Sequence, residues 1–381
     1  MPATFNQAGY RKGRADGLLK GRQDGYQKGL ADGREARRRS AAHAPSPRVK
    51  RALVVAPGII PSLEIGILQP FNALQRQGTL QYELRLEGDV AKEQVAAADV
   101  VVFLRNVESA ALPCLHWAKE LGKKTVYYTD DNFLAIRPTT PVGAYYATPE
   151  KWKNFLTFLK SVDIVKVDSP YYGQYIRTHF NPRVVYFPGS VDFDWLQQAQ
   201  KPERDDGQIV IGYEGSGKDD DFVPTVAALK RILNYYGGFV RLEFCGYVPA
   251  SLADHPNVRV LAGDPDYRRF MHQMYGFTWD IGIAPLARSA FNDCKTNNKY
   301  REYAACRIPG VYSDSPVYTE WVKHGETGWL TAHTEEGWHD ALVRLIEDPP
   351  LRRKIQEQAW NDAIARFSVP LCAEQWIRHI F

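Results

Sequence analysis

The sequence predicts an α/β protein of two doubly wound domains that follow an N-terminal repeat extension. Three observations predict it. From Arg51 onward, short apolar runs rich in Val, Ile and Tyr alternate with charged helical stretches, the pattern of parallel sheets covered on both faces. The alternation pauses at a polar stretch, residues 196–207, and then starts again. The first 48 residues obey another rule, with a glycine at every fourth position from Gly9 to Gly33. A chain of 381 residues also exceeds what one core usually holds.

In the extension, Gly9, Gly13, Gly17, Gly21, Gly25, Gly29 and Gly33 recur without a miss. The residue before each following glycine alternates between Lys12, Lys20, Lys28 and Asp16, Asp24, Asp32. On a helix the glycines would form a slowly drifting stripe, and the Lys and Asp column would pair at i,i+4. Glycine costs about 1 kcal/mol per helical position, so a lone helix would not be stable. Close packing on a second helix is the sharp expectation and a flexible tail the bland one. The repeat, residues 9–33, is thus a candidate for homo-oligomerisation or for binding a partner, and is similar to GxxxG segments of some helical adaptor proteins. A basic, Pro-containing linker follows (REARRRSAAHAPSPRVKR, 34–51).

The first domain is expected over 49–195. RALVVAP (51–57), 82–86, 99–104, 125–129, 164–167 and 184–188 read as strands, and 63–77, 107–121 and 149–160 as helices. The second is expected over 208–366. Its strands are QIVIGYEGS, VRLEFCG, NVRVLAG, DIGIAPL and GVYSD. Its helices are 223–236, 265–275, one after Asn298, a short one near 318–324, 335–347 and 349–366. GETGWL reads as a turn, and residues 367–381 as an amphipathic helix that packs back on the body. Two such domains leave a cleft between the carboxyl ends of their sheets, where ligands bind.

Bulk properties exclude several classes. Hydrophobic residues make up 44% and charged residues 24%, as in globular proteins. No apolar run approaches the roughly 18 residues of a membrane helix, so no integral membrane segment is expected. The polar, basic start predicts no secretory signal. Five scattered cysteines without a CxxC pair predict reduced thiols, no structural zinc and a cytoplasmic protein. The net charge is +4 and the basic excess lies in the first 51 residues, so nucleic acid is not an expected partner of the folded body.

The stretch DIGIAPLARSAFNDCKTNNKYREYAACRIPGVYSD (280–314) carries the chemistry. A buried strand, a polar loop and a charged helix start follow one another. A helix N-terminus offers free N–H groups and a positive dipole end to a phosphate. Lys295, Thr296, Asn297, Asn298 and Lys299 crowd that end, and Glu302 lies three residues beyond Lys299 on the same side. A carboxylate there can accept hydrogen bonds from sugar hydroxyls. A phosphorylated, hydroxyl-rich ligand such as a nucleotide-sugar fits. In GYEGSGKDDDF (212–222), Gly215, Ser216 and Gly217 would let the backbone approach a phosphate, with Lys218 to neutralise it. Asp219–Asp221 are expected to be the solvated acidic start of a helix. Asp130 and Asp131 follow a strand in YYTDDNF. Metal binding, an acceptor-orienting or base role for Asp131, and helix capping by Asp131 or Asn132 all suit that position.

KYREYAACRIPGVYSDSPVY and VKHGETGWL resemble the retaining, family-4-like glycosyltransferases of GT-B fold (glycosyl transferases group 1), whose second domain reads K-x-x-E-Y-x-A-x-x-x-P-V-V-x-S and then G-x-x-G-x-L. The resemblance covers about 208–366 well and the first domain weakly. It implies two Rossmann-like domains, Glu302 on the nucleotide ribose, Lys299 and Tyr303 beside the donor, and the 215–218 loop on the diphosphate. YFPGSVDFDW (186–195) is similar to the segment ending the family's first domain, with Gly189 and Asp192 at a hinge. The family's E-x7-E pattern would place an acid at 294, where this chain has Cys294, with Asp293 one place off. The implied activity is a glycosyltransferase of the hexosyltransferase type. It would move a sugar from a nucleotide-sugar, UDP-sugar favoured, to a protein or glycan acceptor, with retention. Lys299 and Asp131 would be its catalytic residues, with no metal and no cofactor beyond the co-substrate. The alternatives are a nucleotide-sugar epimerase and a non-catalytic adaptor.

Overall fold

Residues Lys50–Ala56 form β1, the first strand of a parallel six-stranded sheet of order β2-β1-β3-β4-β5-β6. Its other strands are β2 Leu80–Leu86, β3 Val100–Leu104, β4 Lys124–Tyr128, β5 Ile164–Val167 and β6 Val184–Tyr186. A second parallel six-stranded sheet has the order β12-β11-β10-β7-β8-β9. It contains β7 Ile209–Glu214, β8 Val240–Cys245, β9 Val258–Leu261, β10 Ile281–Ala284, β11 Gly310–Ser313 and β12 Trp329–Thr331. This computed structural model describes residues 48–217 and 219–381. The glycine repeat, the helix expected of it and Lys218 lie outside the described residues.

Each sheet is covered on both faces, so its central strands are buried end to end. β3 (VVVFL) and β7 (IVIGYE) show no exposed position, the consequence of burying two faces at once. On the first sheet, one apolar layer joins β3, β4 and β5 to α3 Leu112–Glu120, α5 Pro149–Ser161 and α6 Pro170–His179. The other layer joins α1 Gln69–Arg76 to a helix from the far end of the chain, α14 Val369–His379. On the second sheet, α8 Asp219–Tyr236 and α12 Glu335–Glu347 cover one face. On the other face α9 Tyr267–Tyr275, α10 Asn298–Ala305 and α13 Pro349–Phe367 pack together. The whole of Lys50–Phe381 forms one compact unit.

The C-terminal helix therefore serves the first sheet, although it follows the second. Trp376 is fully buried, packs edge-on against Phe71 at 4.9 Å, and donates from Nε1 to the Gly66 carbonyl at 2.9 Å. That carbonyl lies in a π-turn, Glu64–Leu68, preceding α1. A Cβ on Gly66 would lie 2.2 Å from the Tyr128 ring, so only glycine permits this approach of helix to sheet.

Four helices carry too weak a pattern to be read from the sequence. They are α2 Lys92–Ala97, α4 Pro141–Tyr146, α6 and the single turn α7 Phe193–Leu196. The first two are one to two turns long. The third mixes a glycine, three tyrosines and two β-branched residues into ten positions, a poor intrinsic helix held by its packing. The helix expected near 318–324 is instead α11, Pro316–Thr319, and the GETGWL turn runs into β12.

Candidate functional site

In the second sheet, β7 and β10 are neighbours from which the connections run in opposite directions. A crevice opens at the carboxyl ends of such a pair. β7 ends on Glu214 and passes into Gly215, Ser216 and Gly217. Gly215 has φ +142°, and a Cβ there would lie 2.7 Å from the Tyr213 hydroxyl oxygen, so this turn requires glycine. Ser216 and Gly217 are exposed beyond it.

From β10 the chain runs through residues 285–297 to the start of α10. Asp221, expected to be solvated, is buried instead. It accepts from the Ala287 backbone N–H at 2.9 Å and from Asn292 Nδ2 at 2.8 Å, stapling this loop to α8. Asp219 and Asp220 remain exposed. Asn297 occupies the N-cap position of α10 without a side-chain cap bond and is 2% exposed, and neither polar atom of its side-chain amide has a partner. A buried polar group in that state is costly unless something binds it.

One turn into α10, Lys299 and Glu302 lie side by side, with Nζ and Oε2 3.7 Å apart. Lys299 also forms an ion pair with Glu214, which brings the helix to the residue that begins the glycine turn. Burial lowers the Lys299 pKa, and Glu302 opposes that shift. Glu302 accepts from the Tyr267 hydroxyl at 3.1 Å. Thr296 and Asn298 turn their side chains to the buried guanidinium of Arg301, which also donates to the Gly189 carbonyl. Tyr303 departs from its expected place beside a ligand. It is fully buried, and its hydroxyl donates to the Ile283 carbonyl at 2.8 Å, so it packs α10 onto β10.

The facing crevice lies between β1 and β3 of the first sheet, where the strand order also reverses. Arg105 follows β3 there, and Asp130 and Asp131 follow β4. No helix starts at Asp131 or Asn132, so neither is a helix cap. Arg105 contacts Asp130 through Nε and Asp131 Oδ2 from Nη2 at 3.4 Å. Ser62 donates to Asp130 at 2.7 Å. Burial works against charge on Asp130, but Arg105 and Ser62 outweigh it and hold its pKa below the usual carboxylate value. Burial likewise works against charge on Arg105, and the two carboxylates keep it charged.

The two halves meet. Lys295 Nζ lies 3.3 Å from Asp131 Oδ1, so a lysine of the second domain touches a carboxylate of the first. Arg137 reaches Asp220 at 2.5 Å on the exposed rim. Cys294 crosses over altogether. Its side chain is buried in the first domain's core with Tyr172 and Phe133, and Asn132 Nδ2 donates to its sulfur at 3.6 Å. Burial pushes its thiol up to about 11. Asp293 is held by Arg288 at 2.7 and 3.0 Å. The departure from E-x7-E thus has a physical reason, since position 294 packs an interdomain core contact. Accordingly, Cys294→Glu should lower stability by at least about 2 kcal/mol, by burying a carboxylate among apolar groups, without raising turnover. Thermal denaturation beside Cys294→Ser checks this, and a stable, more active Glu variant would contradict it.

Arg105, Glu214 and Tyr267 were not legible as site residues from the sequence. The only available signal was a charged residue at the end of a buried strand, Glu214 as the last residue of β7 and Arg105 directly after β3. Among the described residues, no group of three or more His, Cys, Asp or Glu is placed to hold a metal ion. No described helix is long and apolar enough to cross a membrane.

Residues 300–362 match the family model of the glycosyl transferases group 1. No curated protein sequence matches the chain. A glycosyltransferase from Rickettsia africae ESF-5 superposes with a TM-score of 0.62 at 14% identity, over 87% of this chain and 97% of that one. Anabaena Alr3699/HepE in complex with UDP-glucose gives a TM-score of 0.61 at 14% identity, over 86% and 98%. A putative UDP-N-acetylglucosamine 2-epimerase from Listeria monocytogenes gives 0.53 at 11% identity, over 86% and 94%. At such identities these structures speak for the fold. The chain has the GT-B fold of two Rossmann-like domains, and residues 300–362 of its second domain are similar to the glycosyl transferases group 1.

Proposed function

We propose that this protein transfers a hexosyl group from a nucleotide-diphosphate sugar, UDP-sugar favoured, to an acceptor hydroxyl on a protein or glycan. The observation that carries the reading is the start of α10. There the partnerless Asn297 amide, Lys299 and Glu302 adjoin the Gly215 turn at the reversal point of the second sheet. Glu302 would accept from the ribose hydroxyls. The diphosphate would lie between the α10 N-terminus and the turn of Gly215, Ser216 and Gly217, and take Lys299 and Lys295 from their present carboxylate partners. The bond from the anomeric carbon to the phosphate oxygen breaks as the acceptor oxygen bonds that carbon. The helix dipole and lysines stabilise the charge growing on the leaving diphosphate. Asp131 would accept a hydrogen bond from the acceptor hydroxyl and take its proton as the new bond forms. Retention follows if the acceptor attacks from the leaving-group face, and no metal or resident cofactor is invoked. Five unpaired, buried cysteines support a reducing, cytoplasmic setting.

A second reading, a non-catalytic GT-B partner, is favoured by two observations. Glu214 already neutralises Lys299, and position 294 carries no acid. A panel of UDP-, GDP- and dTDP-sugars separates the possibilities. Release of nucleotide diphosphate is the expected result. A changed sugar on intact nucleotide would mark an epimerase, and no binding at all would leave the adaptor.

A further inference from the structure

We propose that Arg105 is a positioning residue for transfer, holding one oxygen of Asp131 so that the other is presented to the acceptor once the donor has drawn Lys295 away. The inference rests on the glycosyl-transfer reading above.

Its place in the fold comes first. Arg105 directly follows β3, at the point where the strand order of the first sheet reverses. Its backbone has φ +50°, and among the described residues only Arg307 is another non-glycine with positive φ. An L-residue keeps that conformation only where its surroundings over-determine it, and such sites cluster where function needs them. Here the Arg105 N–H donates to the Tyr128 carbonyl at 3.0 Å, and the guanidinium lies 5.1 Å from the centre of the Phe133 ring.

The division of contacts makes the case. Nε engages Asp130, which is 2% exposed and anchored by Ser62. A purely structural ion pair would end there. Nη2 goes on to Oδ2 of Asp131, while Oδ1 of the same carboxylate faces Lys295 of the other domain at 3.3 Å. The two oxygens of Asp131 are thus shared between a fixed cation of its own domain and a cation of the donor side. A diphosphate competes for Lys295, since it carries more charge than one carboxylate. When Lys295 moves to it, Oδ1 is released into the cleft as an acceptor of hydrogen bonds and Oδ2 stays on Arg105. The carboxylate keeps its direction through the exchange, which links donor binding to the readiness of the acceptor side.

Arg105→Ala alone leaves Asp130 charged and buried, a change that can unfold the chain. The test therefore compares Arg105→Ala/Asp130→Asn with Asp130→Asn as its background. The probes are UDP binding by calorimetry and hydrolysis of the panel's best sugar nucleotide, with water standing as the acceptor. The expected result is an unchanged UDP Kd and a loss of about 10- to 100-fold in hydrolysis, the scale of one charge-assisted hydrogen bond. Millimolar guanidinium should then restore hydrolysis in the double variant and leave the background unmoved. UDP binding that falls in parallel, or no recovery with guanidinium, overturns the proposal and makes Arg105 a brace. A wild type that neither binds nor cleaves any sugar nucleotide ends the transfer reading, and this inference with it. An active wild type with the wrong variant behaviour ends this inference alone.

Discussion

Glu302→Ala is expected to weaken UDP binding by about 10- to 150-fold, the loss of hydrogen bonds to a charged acceptor worth about 1.5–3 kcal/mol. The Glu302 side chain is only 8% exposed, and it meets the Tyr267 hydroxyl at 3.1 Å and Lys299 at 3.7 Å. Its removal does not strand the lysine, because Lys299 keeps its ion pair with Glu214. A binding loss can therefore be read as lost recognition, and thermal denaturation of the variant verifies that. Tyr267→Phe removes only the neutral donor to this carboxylate, so its effect should be smaller, within about fivefold. Calorimetry with UDP, and with uridine for comparison, measures both. A Glu302→Ala protein that binds UDP like wild type would remove the donor-site assignment.

Trp376→Ala should cost about 3–5 kcal/mol of stability, the usual range for emptying a fully buried aromatic site. Trp376 is 0% exposed and packs on Phe71, Phe187 and Phe381, and its indole N–H satisfies the Gly66 carbonyl. The alanine leaves a cavity and an orphaned acceptor in one step. The damage should be confined. α14 and α1 cover the first sheet, whereas Trp338 anchors α12 on the second. Hydrogen exchange should show β1, α1 and α14 losing protection while β7 and β10 keep theirs. A uniform loss over both sheets would show that the domains unfold as one unit. UDP binding should survive, since the α10 site belongs to the second sheet.

How much of this was legible in the sequence varies by element. The strands around Leu53, Val102, Ile211 and Ile283 could be read because a two-sided sheet demands continuous apolar runs. β12 could not, because three residues closing a turn carry no period. The α10 helix start was legible from local chemistry, as was the side-by-side placement of Lys299 and Glu302. Tyr303 was misplaced because a tyrosine next to a binding glutamate looks alike whether its ring turns to the ligand or to β10. Arg105 stayed hidden because its left-handed backbone and its reach to Asp130 depend on β4 lying beside β3.

By itself, then, the sequence determined the two α/β domains, the glycine turn at Gly215 and the face that Lys299 and Glu302 share on α10. Those features follow from periods of two and 3.6 residues and from backbone sterics, which act over a few neighbours. Only the tertiary structure decided which charges meet. Lys299 pairs with Glu214, Asp131 divides itself between Arg105 and Lys295, and Cys294 leaves the cleft for the first domain's core. Such contacts join residues far apart along the chain. Coulomb attraction and burial depend on separation in space, which is set only when the chain folds back on itself.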